Sequence, residues 1–142
     1  MNWKELAITS HYQTAVAVRQ VLLERNMDET LMGIEELIET LGRSEERALK
    51  SQMARLMMHI VKWKIEPHRR SRSWMLTIEN ARDEIADILE YEPHLKPKVP
   101  VLWDKCFKRA CRLAEKETGI RPRIGKLTRK EVFEEEYALA EL

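Results

Sequence analysis

Hydrophobic residues recur along this chain at three- and four-residue steps, the period of an amphipathic α-helix, and no run alternates with the two-residue period of a half-buried strand. A first block, about Asn2 to Arg25, carries Ile8, Tyr12, Ala15, Val16, Leu22 and Leu23 as its apolar stripe, with Asn2 as the capping residue and Arg19 inside the stripe. A second, about Asp28 to Leu41, opens on Asp28-Glu29, which suits the helix dipole, presents Leu31, Ile34, Ile38 and Leu41, and is predicted to stop at Gly42. Ser44, Glu45, Glu46 and Arg47 read as a new helix start, after which Leu49, Met53, Leu56, Ile60 and Trp63 form a seam at steps of four, three, four and three. Because only Gly42 and Arg43 separate these two blocks, they are predicted to form an antiparallel hairpin.

Beyond Pro67 a further helix is predicted from Ser71 or Ser73, with Trp74, Ile78, Ala81, Ile85 and Ile88 repeating the seam and an end before Pro93. Tyr91 to Pro100, with three prolines, reads as a rigid connector or a short helical turn. A helix from about Val101 to Thr118 then presents Leu102, Trp103, Cys106, Phe107, Ala110, Leu113 and Ala114 on one broad face and closes at Gly119. The pattern predicts an all-α, single-domain bundle of five or six helices with short connections, in which the second to fourth helices run up, down and up and the fifth packs across them. Residues 1–120 form the bundle, and 121–142 are an extension of the same domain, expected to be mobile, with an acidic helix over Thr128 to Leu139.

The chain's 142 residues, 44% of them apolar, suffice for one packed core. Twenty-five Lys and Arg against 24 Asp and Glu leave a formal charge of +1, which removes any general argument for nucleic acid or an anionic membrane and leaves only a local patch to support either. Cys106 and Cys111 lie about 140° apart around one helix, cannot bridge within it, and suit a reducing compartment. No stretch of 18 apolar residues and no signal-like N-terminus occurs, so the chain is expected to be cytoplasmic and away from membranes.

Candidate chemistry concentrates in Lys62-Trp63-Lys64-Ile65-Glu66-Pro67-His68-Arg69-Arg70-Ser71-Arg72-Ser73-Trp74. Basic groups interleaved with aromatics can hold a phosphate backbone and stack a base. The competing reading, which we prefer, sets both tryptophans in helix seams and the arginines at a bend, answering acidic groups such as Glu24, Asp28 and Glu29. Glu36-x-x-Glu39 and Glu84-x-x-Asp87 have the spacing of magnesium-binding helices in all-α nucleotide pyrophosphatases, yet helical-wheel geometry turns Glu36 and Glu39 about 140–160° from the Leu31, Ile34, Ile38 stripe, toward solvent. His59 reads as a hydrogen-bonded residue at the edge of its seam. His11, His68 and His94 stand at unrelated spacings and the four glycines are isolated, so no metal site, cofactor, phosphate loop or nucleophile is predicted.

The run Glu36-Leu-Ile-Glu-Thr-Leu-Gly42, then Arg43-Ser44-Glu45, His59, Lys62-Trp63, Pro67, Arg69-Arg70-Ser71-Arg72-Ser73-Trp74 and Glu117-Thr118-Gly119 resembles the domain-of-unknown-function family numbered twenty-nine, over most of residues 10–120. The family usually closes with a segment containing Phe-Pro and Cys-Pro before an acidic helix, whereas this chain reads Arg121-Pro122-Arg123-Ile124-Gly125-Lys126. The resemblance implies a bacterial, mostly cyanobacterial, cytosolic helical bundle and implies no activity. It matches Glu36, Glu39, His59, Trp63, Arg70, Arg72 and Trp74 to the family's motif positions; with Arg69 they form the candidate functional cluster.

No reaction centre is legible, so the leading expectation is a non-enzymatic interaction or regulatory module that binds a protein partner or a second copy of itself. A nucleic-acid-binding protein using segment 62–74 ranks second, and a magnesium-dependent nucleotide hydrolase third.

Overall fold

The computed structural model describes residues 1–140. They form helices α1 (Trp3–Thr9), α2 (His11–Leu23), α3 (Met27–Ile65), α4 (Arg72–Tyr91), α5 (Lys98–Thr118) and α6 (Arg129–Phe133), with single 3-10 turns at Pro67–Arg69 and Pro93–Leu95. No strand occurs among the described residues, and the protein is all-α.

Two boundaries differ from the periodicity. Ser10 interrupts the first block: its backbone is extended, and its hydroxyl accepts from the Gln13 amide, ending α1 and capping α2. The predicted hairpin is absent, because residues 27–65 are one helix of 39 residues. A lone glycine costs a helix only about 1 kcal/mol relative to alanine, and the Glu, Arg and Leu residues around Gly42 are good helix formers with no proline among them. Ser44 therefore stands inside a helix rather than at the start of one. The bend expected to bring Asp28 and Glu29 toward the arginines does not exist.

The chain divides into two compact units, Met1–Arg47 and Ala48 onward. In the first, α1 and α2 lie on the Thr30, Gly33, Leu37 side of α3: Trp3 is 3% exposed, and a Cβ added at Gly33 would come within 2.6 Å of Val18 Cγ2 and 2.9 Å of the Trp3 ring. The Trp3 indole donates to Glu29 Oε2 at 2.6 Å. This inverts the expected stripes. Leu31, Ile34, Ile38 and Leu41, read as a core face, are exposed, as are Ile8, Tyr12, Leu22 and Leu23.

In the second unit the seams are as predicted. Leu49, Met53, Leu56, Ile60 and Trp63 of α3 are buried with Ile78, Ala81 and Ile85 of α4 and Leu102, Cys106, Ala110 and Ala114 of α5. Ser71 caps α4 by accepting from the Trp74 amide. Gly119, with φ at +73°, ends α5 in the left-handed conformation that glycine adopts at least cost. Pro100 is accommodated in the first turn of α5, where its missing N–H removes no intrahelical bond, so this helix begins earlier than predicted.

The extension expected to be mobile is packed. Leu127 and Val132 are buried in the same core, and Ile124, Phe133 and Tyr137 lie against it. Thr128 and Glu131 close a capping box over α6, which spans five residues rather than the predicted Thr128 to Leu139. The last two residues of the 121–142 extension lie outside the described residues.

The two α3 glycines separate the helix's two environments experimentally. A Cβ at Gly42 meets nothing within 4 Å, so Gly42→Ala is expected to raise stability by about 1 kcal/mol through helix propensity. Gly33→Ala gains the same propensity but collides with stiff Val18 and buried Trp3, so a net loss is expected. Urea unfolding of the two variants checks both signs; a destabilising Gly42→Ala would argue for a turn there.

Candidate functional site

Trp63 stands in the last turn of α3, 5% exposed, with the edge of the Tyr137 ring against it at 5.9 Å. Arg70, just past the Pro67–Arg69 turn, folds back so that its Nε donates to the Trp63 carbonyl at 2.8 Å and its guanidinium lies 5.0 Å from the Trp63 ring centre. That carbonyl is one of the four a helix C-terminus leaves without an intrahelical donor, and a cation there is doubly favoured, by hydrogen bond and by dipole. Arg70 thus acts as the cap of α3, and the acidic partner expected for it is replaced by a backbone oxygen and an indole face. Arg69 and Arg72 are exposed, and neither guanidinium makes a hydrogen bond or ion pair among the described residues.

The two lysines of the segment are committed internally. Lys62, 7% exposed, donates from Nζ to Glu117 Oε2 at 2.6 Å and sits 4.6 Å above the half-buried Trp74 ring. Its charge is therefore held between a carboxylate and a π-face, two compensations for its burial. Lys64 pairs with Glu131 at 2.7 Å. This lysine, with the bonds Glu131 receives at the capping box, holds the Glu131 carboxyl down to about 2. Arg82 of α4 donates to the carbonyls of Val132 and Glu131 and lies 5.5 Å from the Tyr137 ring.

His59 is half-buried, its Nδ1 3.0 Å from the Arg55 carbonyl, as expected for the edge of a seam. Desolvation, the largest influence, lowers its pKa. The thiols of Cys106 and Cys111 are free, and burial raises both, which disfavours the reactive thiolate.

Trp63, Arg70, Trp74 and the two lysines thus form a structural lock joining the end of α3, the start of α4 and the tail, rather than a set of groups converging on open space. Of the other matched residues, His59 and Arg72 lie in the second unit and Glu36 and Glu39 in the first. Glu39 is exposed and pairs with Arg43 one turn on at 3.6 Å. Glu36, expected to face solvent, is half-buried, and its Oε2 is fully enclosed without a hydrogen-bond partner among the described residues. On α4, Glu84 and Asp87 are exposed.

Sequence reasoning missed two features. The first is the exposed apolar ridge on α3, formed by Met27, Leu31, Ile34, Ile38 and Leu41. The second is the outer face of α5, where Lys98, Lys105, Lys108, Arg109, Arg112 and Lys116 are all exposed. The signal for the latter was in the sequence, as a Lys/Arg recurrence at steps of seven, four, three and four through 98, 105, 109, 112 and 116.

The charge states define two expected outcomes. Because folding lowers the His59 pKa, the unfolded chain binds more protons there, and its contribution to stability, present above about pH 6.5, is lost as pH falls through the lowered folded value. A urea midpoint that drops between pH 8 and pH 5.5 should drop less in His59→Gln. Glu131 is depressed in the same sense, so its contribution is full above about 4.5 and lost toward about 2. Glu131→Gln should cost about 1–2 kcal/mol near neutrality, from lost capping and the lost Lys64 pair, and shallow the acid limb of a stability–pH curve.

No helix among the described residues is long and apolar enough to cross a membrane. Comparison with known proteins finds no match to a curated protein or to a solved structure. The family model described as Domain of unknown function DUF29 matches residues 9–140, and so extends through the tail as well as the bundle. With nearly the whole chain inside that match, this helical protein belongs to the DUF29 family.

Proposed function

We propose that the protein is a non-enzymatic interaction module that pairs with a second copy of itself through the ridge on α3. The observation that carries this reading is the exposure of Met27, Leu31, Ile34, Ile38 and Leu41, whose relative accessibilities run from 37% to 66%. Their steps of four, three, four and three are the a and d positions of two heptads, the pattern that seats one helix against another. α1 and α2 pack on the flank of α3 that carries Glu29 and Gly33 and leave this side facing water. A contiguous apolar ridge of this kind is uncommon on a protein that remains alone.

Helix dipoles favour a second copy set antiparallel about a two-fold axis near Ile34, because the start of each ridge helix then lies beside the end of the other.

Sedimentation equilibrium across a range of micromolar concentrations tests the reading. The wild-type chain should be dimeric, and Leu31→Glu or Ile38→Glu should yield a monomer of unchanged helical circular dichroism, because both side chains are already exposed. A wild-type monomer throughout would refute the proposal.

A further inference from the structure

Charge is distributed unevenly between the two units. The sequence carries five basic and nine acidic residues up to Arg47, and 20 basic against 15 acidic from Ala48 onward. Near-neutrality of the whole chain therefore conceals an acidic first unit and a basic second one. Within the second unit the lysines nearest the Trp63 lock are neutralised by Glu117 and Glu131. The cations of α5 are not. Lys98, Lys105, Lys108, Arg109, Arg112 and Lys116 are exposed, and none of their side chains makes a hydrogen bond, ion pair or ring contact among the described residues.

These six fall within about 100° of the α5 circumference and span about 27 Å of its length. The opposite face of α5, with Leu102, Cys106, Ala110 and Ala114, is buried in the core, which fixes the strip outward on a rigid support. Asp104 and Glu115 lie at one edge of the strip, outside its centre line, and neither pairs with a strip cation. Six like charges held in a row repel one another, and a row of anions meeting them relieves that repulsion.

We infer that the outer face of α5 binds the phosphate backbone of duplex DNA without reading its sequence. A phosphodiester chain is the polyanion whose charges repeat along a line, as these cations do. Single strands call for aromatic faces on which unstacked bases can lie, but the aromatics of α5, Trp103 and Phe107, are half-buried away from the strip, with the Trp103 indole donating to the Leu127 carbonyl. A membrane surface calls for apolar groups beside the cations, and Val101 is the single exposed apolar residue within the strip. An α-helix with its side chains fits the wide major groove of B-form DNA and not the narrow one of an RNA duplex. This inference is independent of the α3 ridge, which lies in the other unit.

Fluorescence anisotropy with the full chain and a labelled mixed-sequence DNA duplex tests it, with a single strand, an RNA duplex and phosphatidylserine vesicles as further arms. Binding at low salt should weaken with a log–log salt slope of about −5 if all six cations meet phosphates, at about −0.9 each. Lys105→Ala, Arg109→Ala and Arg112→Ala together should make the slope about 3 shallower and reduce affinity at moderate salt by more than tenfold, at unchanged helicity. Arg69→Ala with Arg72→Ala should leave binding within about twofold, since neither residue belongs to the strip. Absence of duplex binding at low salt would overturn the assignment. So would a slope indifferent to the triple substitution, or preference for the single strand, RNA duplex or vesicles over duplex DNA.

Discussion

The close approach at Gly33 decides which side of α3 is inside. With no side chain at that position, the Trp3 ring and Val18 reach the helix backbone, and Trp3 secures the contact by donating to Glu29 four residues earlier on the same helix. Any larger residue would hold α1 and α2 away. With that face occupied, the Met27, Leu31, Ile34, Ile38, Leu41 ridge is left facing solvent, and its exposure follows from where a single Cβ is missing.

The second unit works by a different principle. Its core is a conventional convergence of apolar seams, and its polar groups fasten the tail and the bend to that core. Lys62 and Glu117 connect α3 to the end of α5, Lys64 and Glu131 connect α3 to α6, and Arg82 reaches from α4 to the backbone of α6. Burying Leu127 and Val132 is worth about 1.5–3 kcal/mol each for a leucine- or valine-sized side chain, enough to order a segment whose own helix is only five residues long. The Trp63, Arg70 and Trp74 cluster, chemically the richest stretch of the chain, is thus explained as architecture.

The two roles proposed above rest on plainer surfaces than this motif. One is apolar and lies in an acidic unit; the other is cationic and lies in a basic unit. Self-association through the first would place two copies of the second in one particle, and linking two weak backbone-binding surfaces raises overall affinity without any new contact.

The helical class, the seams of the second unit, the Ser71 and Gly119 caps and the family are all legible in the amino-acid order, because each rests on local spacing or on motif identity. That Gly42 lies within a helix is not legible there, since a glycine between two good helices is compatible with a turn or a continuation, and the choice turns on about 1 kcal/mol of local propensity. Nor does periodicity say which of two apolar faces on α3 is buried: it reports that a face exists, while occupancy depends on residues far along the chain arriving at Gly33. The same holds for the charges. Lys62, Lys64, Lys105 and Lys116 look alike in sequence, and the fold alone separates the pair neutralised by distant glutamates from the pair left facing water, because ion pairing is set by distance in space and not by position in the chain.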